Sequence, residues 1–236
     1  MRTLSMVLFC VGLLLGMAFV AATVWADLEA SLFEPSKAAQ EPLSSLTCPL
    51  IITPQESGTI SATFTNPSER ALRRVVRGTI SHGFSSLMRE VEAQFMLEPG
   101  ETHRLEWTVT AADAAWRHFI LVRVNVLRNY PLPSRTGSCG VLVMNLPGVT
   151  GNQAVALWLT ASLMSMVAGL GLWSRATKSS PGPLPDLTRP MILLAAIVVA
   201  SMLASLIGWW MISGLLLVLA LVMTISVITW ALTKAS

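Results

Sequence analysis

The stretch that decides the fold runs from Ala154 to Thr233 and is almost wholly apolar. It contains three runs: AVALWLTASLMSMVAGLGLW at 154–173, MILLAAIVVASMLASLIGWW at 191–210 and ISGLLLVLALVMTISVITWAL at 212–232. At about 1.5 Å per residue, a helix of about 20 residues spans about 30 Å, the thickness of a bilayer's hydrocarbon core. None of the three runs contains Asp, Glu, Lys, Arg or His. The pattern predicts an integral membrane protein.

The composition supports the same interpretation. Of 236 residues, 53% are hydrophobic and 12% are charged, and the mean hydropathy is +0.62. The net charge is +3, yet residues 27–152 hold 12 acids and 11 Lys or Arg. The basic excess therefore lies beside the apolar runs, where it sets orientation in a membrane and gives no support for a nucleic-acid partner. These bases are Arg2, Arg175, Lys178, Arg189 and Lys234.

The amino-terminal apolar run, from Leu4 to Ala26, has two interpretations. A signal peptide would be cleaved after Ala26, because small residues beside that bond suit the peptidase. An uncleaved transmembrane helix is favoured instead, because about 20 apolar residues exceed the roughly 7–15 of a signal core. We predict a retained helix over 1–26, followed by a linker over 27–45.

Between residues 46 and 147 the pattern becomes that of β-strands. Ile60, Ala62 and Phe64 alternate with serine and threonine, as in a strand with one buried face. Likewise Val122 and Val124 are predicted to face inward, and Arg123 and Asn125 to lie on a polar face. Seven short strands of this kind predict an antiparallel β-sandwich of immunoglobulin-like type. The predicted strands are Leu46–Ile52, Gly58–Asn66, Arg73–Ser81, Arg89–Leu97, Leu105–Val109, Phe119–Leu127 and Ser138–Leu146.

Three motifs carry a resemblance to a known class of domain. They are Asn66-Pro67-Ser68, then Pro99-Gly100-Glu101-Thr102, then Leu105-Glu106-Trp107-Thr108-Val109. Residues of about 46–146 resemble bacterial extracytoplasmic immunoglobulin-like modules, in which such a turn follows an early strand and the other two motifs mark a later hairpin. The resemblance implies a fold with an adhesive or packing role, and no catalytic residues.

The charges beside the apolar runs predict a topology. With Arg2 in the cytoplasm, the first helix exports the sandwich and a helix over 153–174 returns the chain. A loop over 175–190 is then cytoplasmic, and a hairpin over 191–233, turning near Ser213-Gly214, leaves both termini in the cytoplasm. All five bases outside the sandwich fall on one side. The prediction is a multi-pass protein of a bacterial plasma membrane with an extracytoplasmic sandwich.

Two cysteines lie at opposite ends of the predicted sandwich. Cys48 belongs to its first strand and Cys139 to its last, in the segment that topology places where disulfides persist. We predict a bridge between them, with two buried free thiols as the alternative. A metal site is disfavoured because neither cysteine has a second one at CxxC spacing.

Small residues recur at four-residue spacing in the apolar runs, which lets helix backbones approach closely. We predict that these positions pack against other helices, although small residues are also common in membrane helices generally. They are Gly12 and Gly16 in the first run, Ala161, Ser165 and Gly169 in the second, and Ala196, Ala200, Ala204 and Gly208 in the third.

The sequence offers little chemistry. The apolar runs hold no carboxylate or histidine for a proton relay, and no phosphate loop or dinucleotide fingerprint occurs. His82, His103 and His118 would form a site only by converging, and separate surface histidines are the favoured interpretation. We therefore predict no enzymatic activity, no bound cofactor or metal, and no evident small-molecule substrate.

One charge cluster and one loop are candidate partner contacts. Arg70, Arg73, Arg74 and Arg77 could meet an acidic partner or lipid headgroups, although a solvated strand face is favoured. Tyr130 begins an apolar loop that could dock on a partner or simply be rigid.

Two functions fit these features. The first is a non-catalytic accessory subunit of a larger bacterial membrane complex, which contacts other integral membrane subunits and lipid. A respiratory or photosynthetic electron-transport assembly is a candidate host by analogy. The second is a membrane-tethered immunoglobulin-like binding or adhesion module, for which one helix would suffice.

Overall fold

A computed structural model describes residues 2–33, 39–130, 132–179 and 188–235 of the chain. The chain divides into two compact units, Met1–Val24 with Val155–Ser236, and Trp25–Ala154. The first unit is helical and the second is built mainly from β-strands.

Four helices are long and apolar enough to cross a membrane among the described residues, by length and composition. They are α1 (Arg2–Leu32), α2 (Gly151–Ser179), α3 (Thr188–Leu206) and α4 (Trp210–Ala235). Each corresponds to one of the apolar runs that the sequence marks as a span.

The turn between α3 and α4 lies earlier than we predicted. It falls at 207–209 rather than near Ser213-Gly214, because Gly208 adopts the left-handed φ of +83°. The amide of Gly208 bonds to the carbonyl of Ser205 at 3.0 Å, and the amide of Trp209 bonds to that of Ala204 at 2.9 Å. Glycine ends a helix in this way because it lacks the Cβ that disfavours the left-handed region.

The second unit contains eight strands in the described chain. They are β1 (Glu41–Pro42), β2 (Ile51–Ile52), β3 (Ser57–Thr65), β4 (Leu72–His82), β5 (Phe84–Leu97), β6 (Thr102–Thr110), β7 (Phe119–Val126) and β8 (Arg135–Val143). The larger sheet has the order β1-β8-β7-β4-β5, with β2 also paired to β8, and the second sheet pairs β3 with β6.

Most of the pairing is antiparallel, as predicted, but β1 and β2 both run parallel to β8. No hairpin joins either strand to β8, so chain connectivity does not impose antiparallel pairing there. The predicted first strand, Leu46–Ile52, is shorter in the structure, where only Ile51 and Ile52 are in strand conformation.

The two sheets enclose one apolar core. Ile60, Ala62 and Phe64 of β3 are buried, as their alternation predicts, and they pack with residues of the larger sheet. Full burial of a large apolar side chain stabilises a fold by about 1.5–3 kcal/mol. The core also contains Val76, Ile80, Leu97, Trp107, Val109, Ile120, Val122, Val124, Val126 and Val141.

The predicted polar face of β7 is covered rather than solvated. Arg123 and Asn125 are 8% and 5% exposed, and the segment after Ala26 lies against Arg123. That segment was predicted to be a linker, but α1 continues to Leu32. Phe33 packs beside Leu121, and its carbonyl accepts a hydrogen bond from Nη1 of Arg123 at 2.9 Å.

Candidate functional site

Helices α1 and α2 approach most closely at glycines. A Cβ on Gly12 would lie 2.6 Å from the backbone nitrogen of Met166, and a Cβ on Gly169 would lie 2.6 Å from that of Phe9. No side chain fits at such distances, so glycine permits this approach. Gly16 lies against α3. A Cβ on Gly16 would lie 2.6 Å from a side-chain carbon of Val198 and 2.8 Å from one of Met202.

Hydroxyl groups link α1 to α2 across the same contact. Each donates to a backbone carbonyl of the other helix, and such bonds between membrane helices contribute about 0.6 kcal/mol on average. The bonds are Ser5 to Gly169 at 2.7 Å, Ser162 to Gly12 at 2.8 Å and Ser165 to Leu8 at 2.7 Å. The four-residue spacing of small residues predicted Ser165 as a packing residue but not Ser5 or Ser162, whose only signal is a hydroxyl within an apolar run.

Most of the predicted small-residue stripe of α3 does not face the other helices in the part of the chain that the structure describes. Ala196 and Ala200 are exposed, and so is Ala161 of α2. Gly208 lies beyond the end of α3, and only Ala204 of that stripe is buried. Larger side chains occupy the buried face instead, because the dispersion energy increases with the number of atoms in contact. The buried residues of α3 are Met191, Leu194, Val198, Ser201, Met202, Ala204 and Ser205.

Two hydroxyl pairs hold α3 against its neighbours. Ser201 Oγ donates to the carbonyl of Ser213 at 2.9 Å, and Ser213 Oγ donates to the carbonyl of Ser201 at 2.9 Å. Thr23 Oγ1 of α1 lies 2.7 Å from Ser205 Oγ. These hydroxyl groups satisfy one another's hydrogen-bonding capacity inside an apolar unit. The bonds therefore fix the position of α3 relative to α1 and α4.

Two glycines of α2 permit a matched test of the α1–α2 contact. We expect Gly169→Ala to lower the stability of the helical unit by about 1–3 kcal/mol, because its Cβ would meet the backbone of Phe9. Gly171→Ala should leave stability unchanged or raise it by up to about 1 kcal/mol, because nothing lies within 4 Å and alanine favours helix. Thermal unfolding of the full chain in detergent measures both. Equal melting temperatures for the two variants would contradict the close contact.

The predicted disulfide between Cys48 and Cys139 is present, with Cα atoms 6.5 Å apart. Both cysteines pack against the sandwich core. The bridge ties the segment before β2 to the middle of β8, so it joins the two ends of the strand region. Cys10, in α1, is a free and exposed thiol.

The four arginines predicted as one cluster lie in different environments. Arg70, Arg73 and Arg77 are exposed, and Arg77 Nε lies 3.2 Å from Glu92 Oε2. A hydrogen bond from Gln94, together with the charge of Arg77, holds the pKa of the Glu92 carboxyl below its ordinary value. Arg74 is buried, with 4% of its surface exposed. The interpretation as a solvated strand face is therefore wrong for Arg74, because strand alternation turns that side chain inward with Val76.

Comparisons with known proteins show only a remote likeness. No family model matches the sequence. No curated protein matches it. Among solved structures, the CARDB domain of a Pyrococcus furiosus protein is matched over 43% of this chain and 90% of that domain, with 12% identity and a TM-score of 0.35.

Two enzymes are matched over a smaller part of their length. A β-glucosidase from Listeria innocua is matched over 41% of this chain and 15% of the enzyme, with 19% identity and a TM-score of 0.28. A β-glucuronidase from Bacteroides uniformis is matched over 41% of this chain and 12% of the enzyme, with 15% identity and a TM-score of 0.31. At these scores the likeness extends no further than a sheet-rich domain.

The three histidines lie in separate surroundings. His82 Nδ1 is 3.6 Å from Asp113 Oδ1, the ring of His103 lies 4.4 Å from that of Phe95, and His118 neighbours Phe119. Within the described ranges, no group of three or more His, Cys, Asp or Glu residues could hold a metal ion. Asp113 is buried and accepts a hydrogen bond from the amide of Thr110 at 2.9 Å, which is a local structural role.

The loop and turn motifs of the sandwich differ in exposure. Tyr130 is 84% exposed, so it is available for contact. Asn66 is fully buried, and its Nδ2 donates to the carbonyls of Arg70 at 2.8 Å and Leu97 at 2.9 Å. Its Oδ1 accepts the amide of Ser68 at 3.0 Å. The Asn-Pro-Ser motif is therefore a structural turn, in which the asparagine side chain bonds to backbone groups of its own turn and of β5.

Proposed function

We propose that the protein is a non-catalytic accessory subunit of a larger bacterial membrane complex. Its four helices would cross the plasma membrane, with both termini in the cytoplasm and the immunoglobulin-like sandwich on the outside. The helices would pack on those of other integral membrane subunits and on lipid, and the sandwich would brace the external side of the partner.

The observation that carries this proposal is the surface of α4. This helix is the most apolar of the four spans, yet only 11% of its most apolar 18-residue segment is buried inside the protein. Its exposed side chains include Leu215, Val218, Val222 and Ile225. A surface of this kind requires lipid or other apolar helices around it. One membrane span is enough to tether a domain. The surface of α4 is therefore available for contact with other helices in addition to lipid.

Two further features support the placement. The five bases outside the sandwich fall on one side of a four-span topology, in agreement with the positive-inside rule. The Cys48–Cys139 disulfide suits an oxidising compartment such as the bacterial exterior or periplasm.

Photo-cross-linking from α4 tests the proposal. A benzoylphenylalanine placed at Leu215, which is 71% exposed, or at Val222, which is 55% exposed, should yield a protein adduct in intact membranes. The same residue at Trp173 of α2, a buried aromatic side chain of similar size, is the control and should yield no adduct with another protein. Native mass spectrometry in mild detergent should show the same partner. Adducts with lipid alone, together with a stable lone monomer, would refute the proposal.

A second candidate is the membrane-tethered immunoglobulin-like binding module. One observation favours it: a cavity in the sandwich is lined by Arg74, which is buried and forms no ion pair with a carboxylate among the described residues. Under this function α4 would contact lipid only, so the cross-linking experiment separates the two candidates.

A further inference from the structure

Arg74 is buried without a compensating charge. Its side chain, on β4, is 4% exposed, and its Nε and Nη1 atoms are buried with no hydrogen-bond partner. No carboxylate in the part of the chain that the structure describes forms an ion pair with it. Buried charges in proteins are nearly always paired, because an isolated ion loses its hydration without replacement.

A cavity of about 360 Å³ lies beside this side chain. Arg74 lines it together with a second arginine, Arg135, at the start of β8. Part of the cavity wall is apolar and part carries hydroxyl groups. A small organic molecule with a charged group therefore fits the chemistry of the wall. The remaining lining residues are Leu43, Pro67 and Leu132, and Ser44, Ser45, Thr63 and Thr65.

The charge balance around the cavity is positive. Arg135 binds Glu41, with its Nε and Nη2 each 2.9 Å from Oε2, and Glu41 does not line the cavity. Burial lowers the pKa of the Arg74 guanidinium, and the positive charge of Arg135 lowers it further. Arginine stays protonated in proteins even so, so the cavity keeps at least one positive charge that no described side chain neutralises.

We propose that this cavity binds a small oxyanion, a carboxylate or phosphate group, through Arg74 and Arg135. The planar guanidinium matches both groups in geometry, and its hydrogen bonds to them are charge-assisted. The hydroxyls of Ser44 and Thr63 offer donors to the remaining oxygen atoms. The site does not depend on the accessory-subunit function, because the cavity lies in the sandwich unit and the cross-linking positions lie in α4.

The proposed site departs from the sequence-based expectation that no small-molecule substrate is evident. Arg74 lies on β4 at the same alternation as Val76 and Ile80, both of which are buried in the core. That parity was a usable signal, because an arginine at an inward strand position requires a partner.

Direct binding to the full chain in detergent tests the proposal. The probes are inorganic phosphate and acetate, each measured by equilibrium dialysis against chloride at constant ionic strength. We expect at least one of them to bind, and to raise the melting temperature of the sandwich. Arg74→Met should weaken binding at least tenfold. Arg73→Met, next along β4 but exposed, is the matched control and should bind as the native protein does.

A further variant gives a result that a purely structural role would not produce. Glu41→Gln releases Arg135 from its ion pair, so it should tighten binding of the same oxyanion severalfold. If Arg74→Met does not fold, Arg135→Met takes its place and should also weaken binding at least tenfold. The proposal is overturned if neither phosphate nor acetate binds, if Arg74→Met and Arg73→Met bind equally well, or if Glu41→Gln weakens binding.

Discussion

Replacing Cys48 and Cys139 together by alanine is expected to lower the free energy of unfolding of the sandwich by about 4–5 kcal/mol. The two cysteines are 91 positions apart, and a cross-link over a loop of that length removes much conformational entropy from the unfolded chain. The chain-entropy model gives a value near the upper end of the range for disulfides because the closed loop is long. Strain in the native bridge usually lowers the net stabilisation below this value.

Hydrogen exchange of the full chain in detergent, followed by mass spectrometry of β7 peptides, measures this effect within the sandwich alone. Amides that open only by global unfolding should exchange about a thousandfold faster in the double variant. Cys10→Ser is the control, because Cys10 is exposed and unbridged, and it should leave the exchange of β7 unchanged. A change of less than tenfold in the double variant would mean that the bridge does not constrain the unfolded chain.

Gly140→Ala is expected to cause the second large loss, about 3 kcal/mol in the stability of the sandwich. A Cβ at Gly140 would overlap the carbonyl oxygen of Ala26. Overpacking of this kind destabilises a protein by about 1–3 kcal/mol, and by more in some cases. The amide of Gly140 also donates to Asp27 Oδ1 at 3.0 Å. The end of α1 cannot retreat freely, because Phe33 is packed against the sheet.

The matched control is Gly78→Ala on β4. Both glycines are buried in the same sheet, but a Cβ at Gly78 would meet its nearest neighbour, Trp107, at an ordinary 3.8 Å. Its substitution should therefore change stability by less than about 1 kcal/mol, and alanine in place of glycine can even stabilise a strand. Exchange of β8 and of residues 26–33 should accelerate in Gly140→Ala only. If both variants accelerate exchange equally, the contact between Ala26 and β8 is not as close as described.

Local patterns predicted much of the fold because they depend on neighbours along the chain. The alternation of Ile60, Ala62 and Phe64 with hydroxyl residues predicted the buried face of β3, and those three side chains are buried. Apolar runs of about 20 residues predicted the four helices that are long enough to span a membrane. The disulfide followed from placing both cysteines in one exported domain.

The same patterns failed where a face is covered by a distant segment. Arg123 and Asn125 were predicted to lie on a polar face, but both are buried, and Arg123 bonds to carbonyls at the end of α1. On α3, Ala196 and Ala200 share the predicted stripe but are exposed within this chain, whereas Val198 and Ser201 face its other helices and are buried; packing of the stripe on another subunit stays a prediction. Periodicity states which residues share a face, and it does not state what that face meets.

The sequence by itself determined where the four described apolar helices lie along the chain, the strand region and the inward set of β3, because each depends on composition and on a period of 2.0 or about 3.6 residues. Only the tertiary structure decided that Gly140 meets Ala26, that β1 and β2 run parallel to β8, and that Arg74 and Arg135 line one cavity. These outcomes join residues tens of positions apart. They depend on how surfaces fit together once the elements have formed, and no local pattern records that fit.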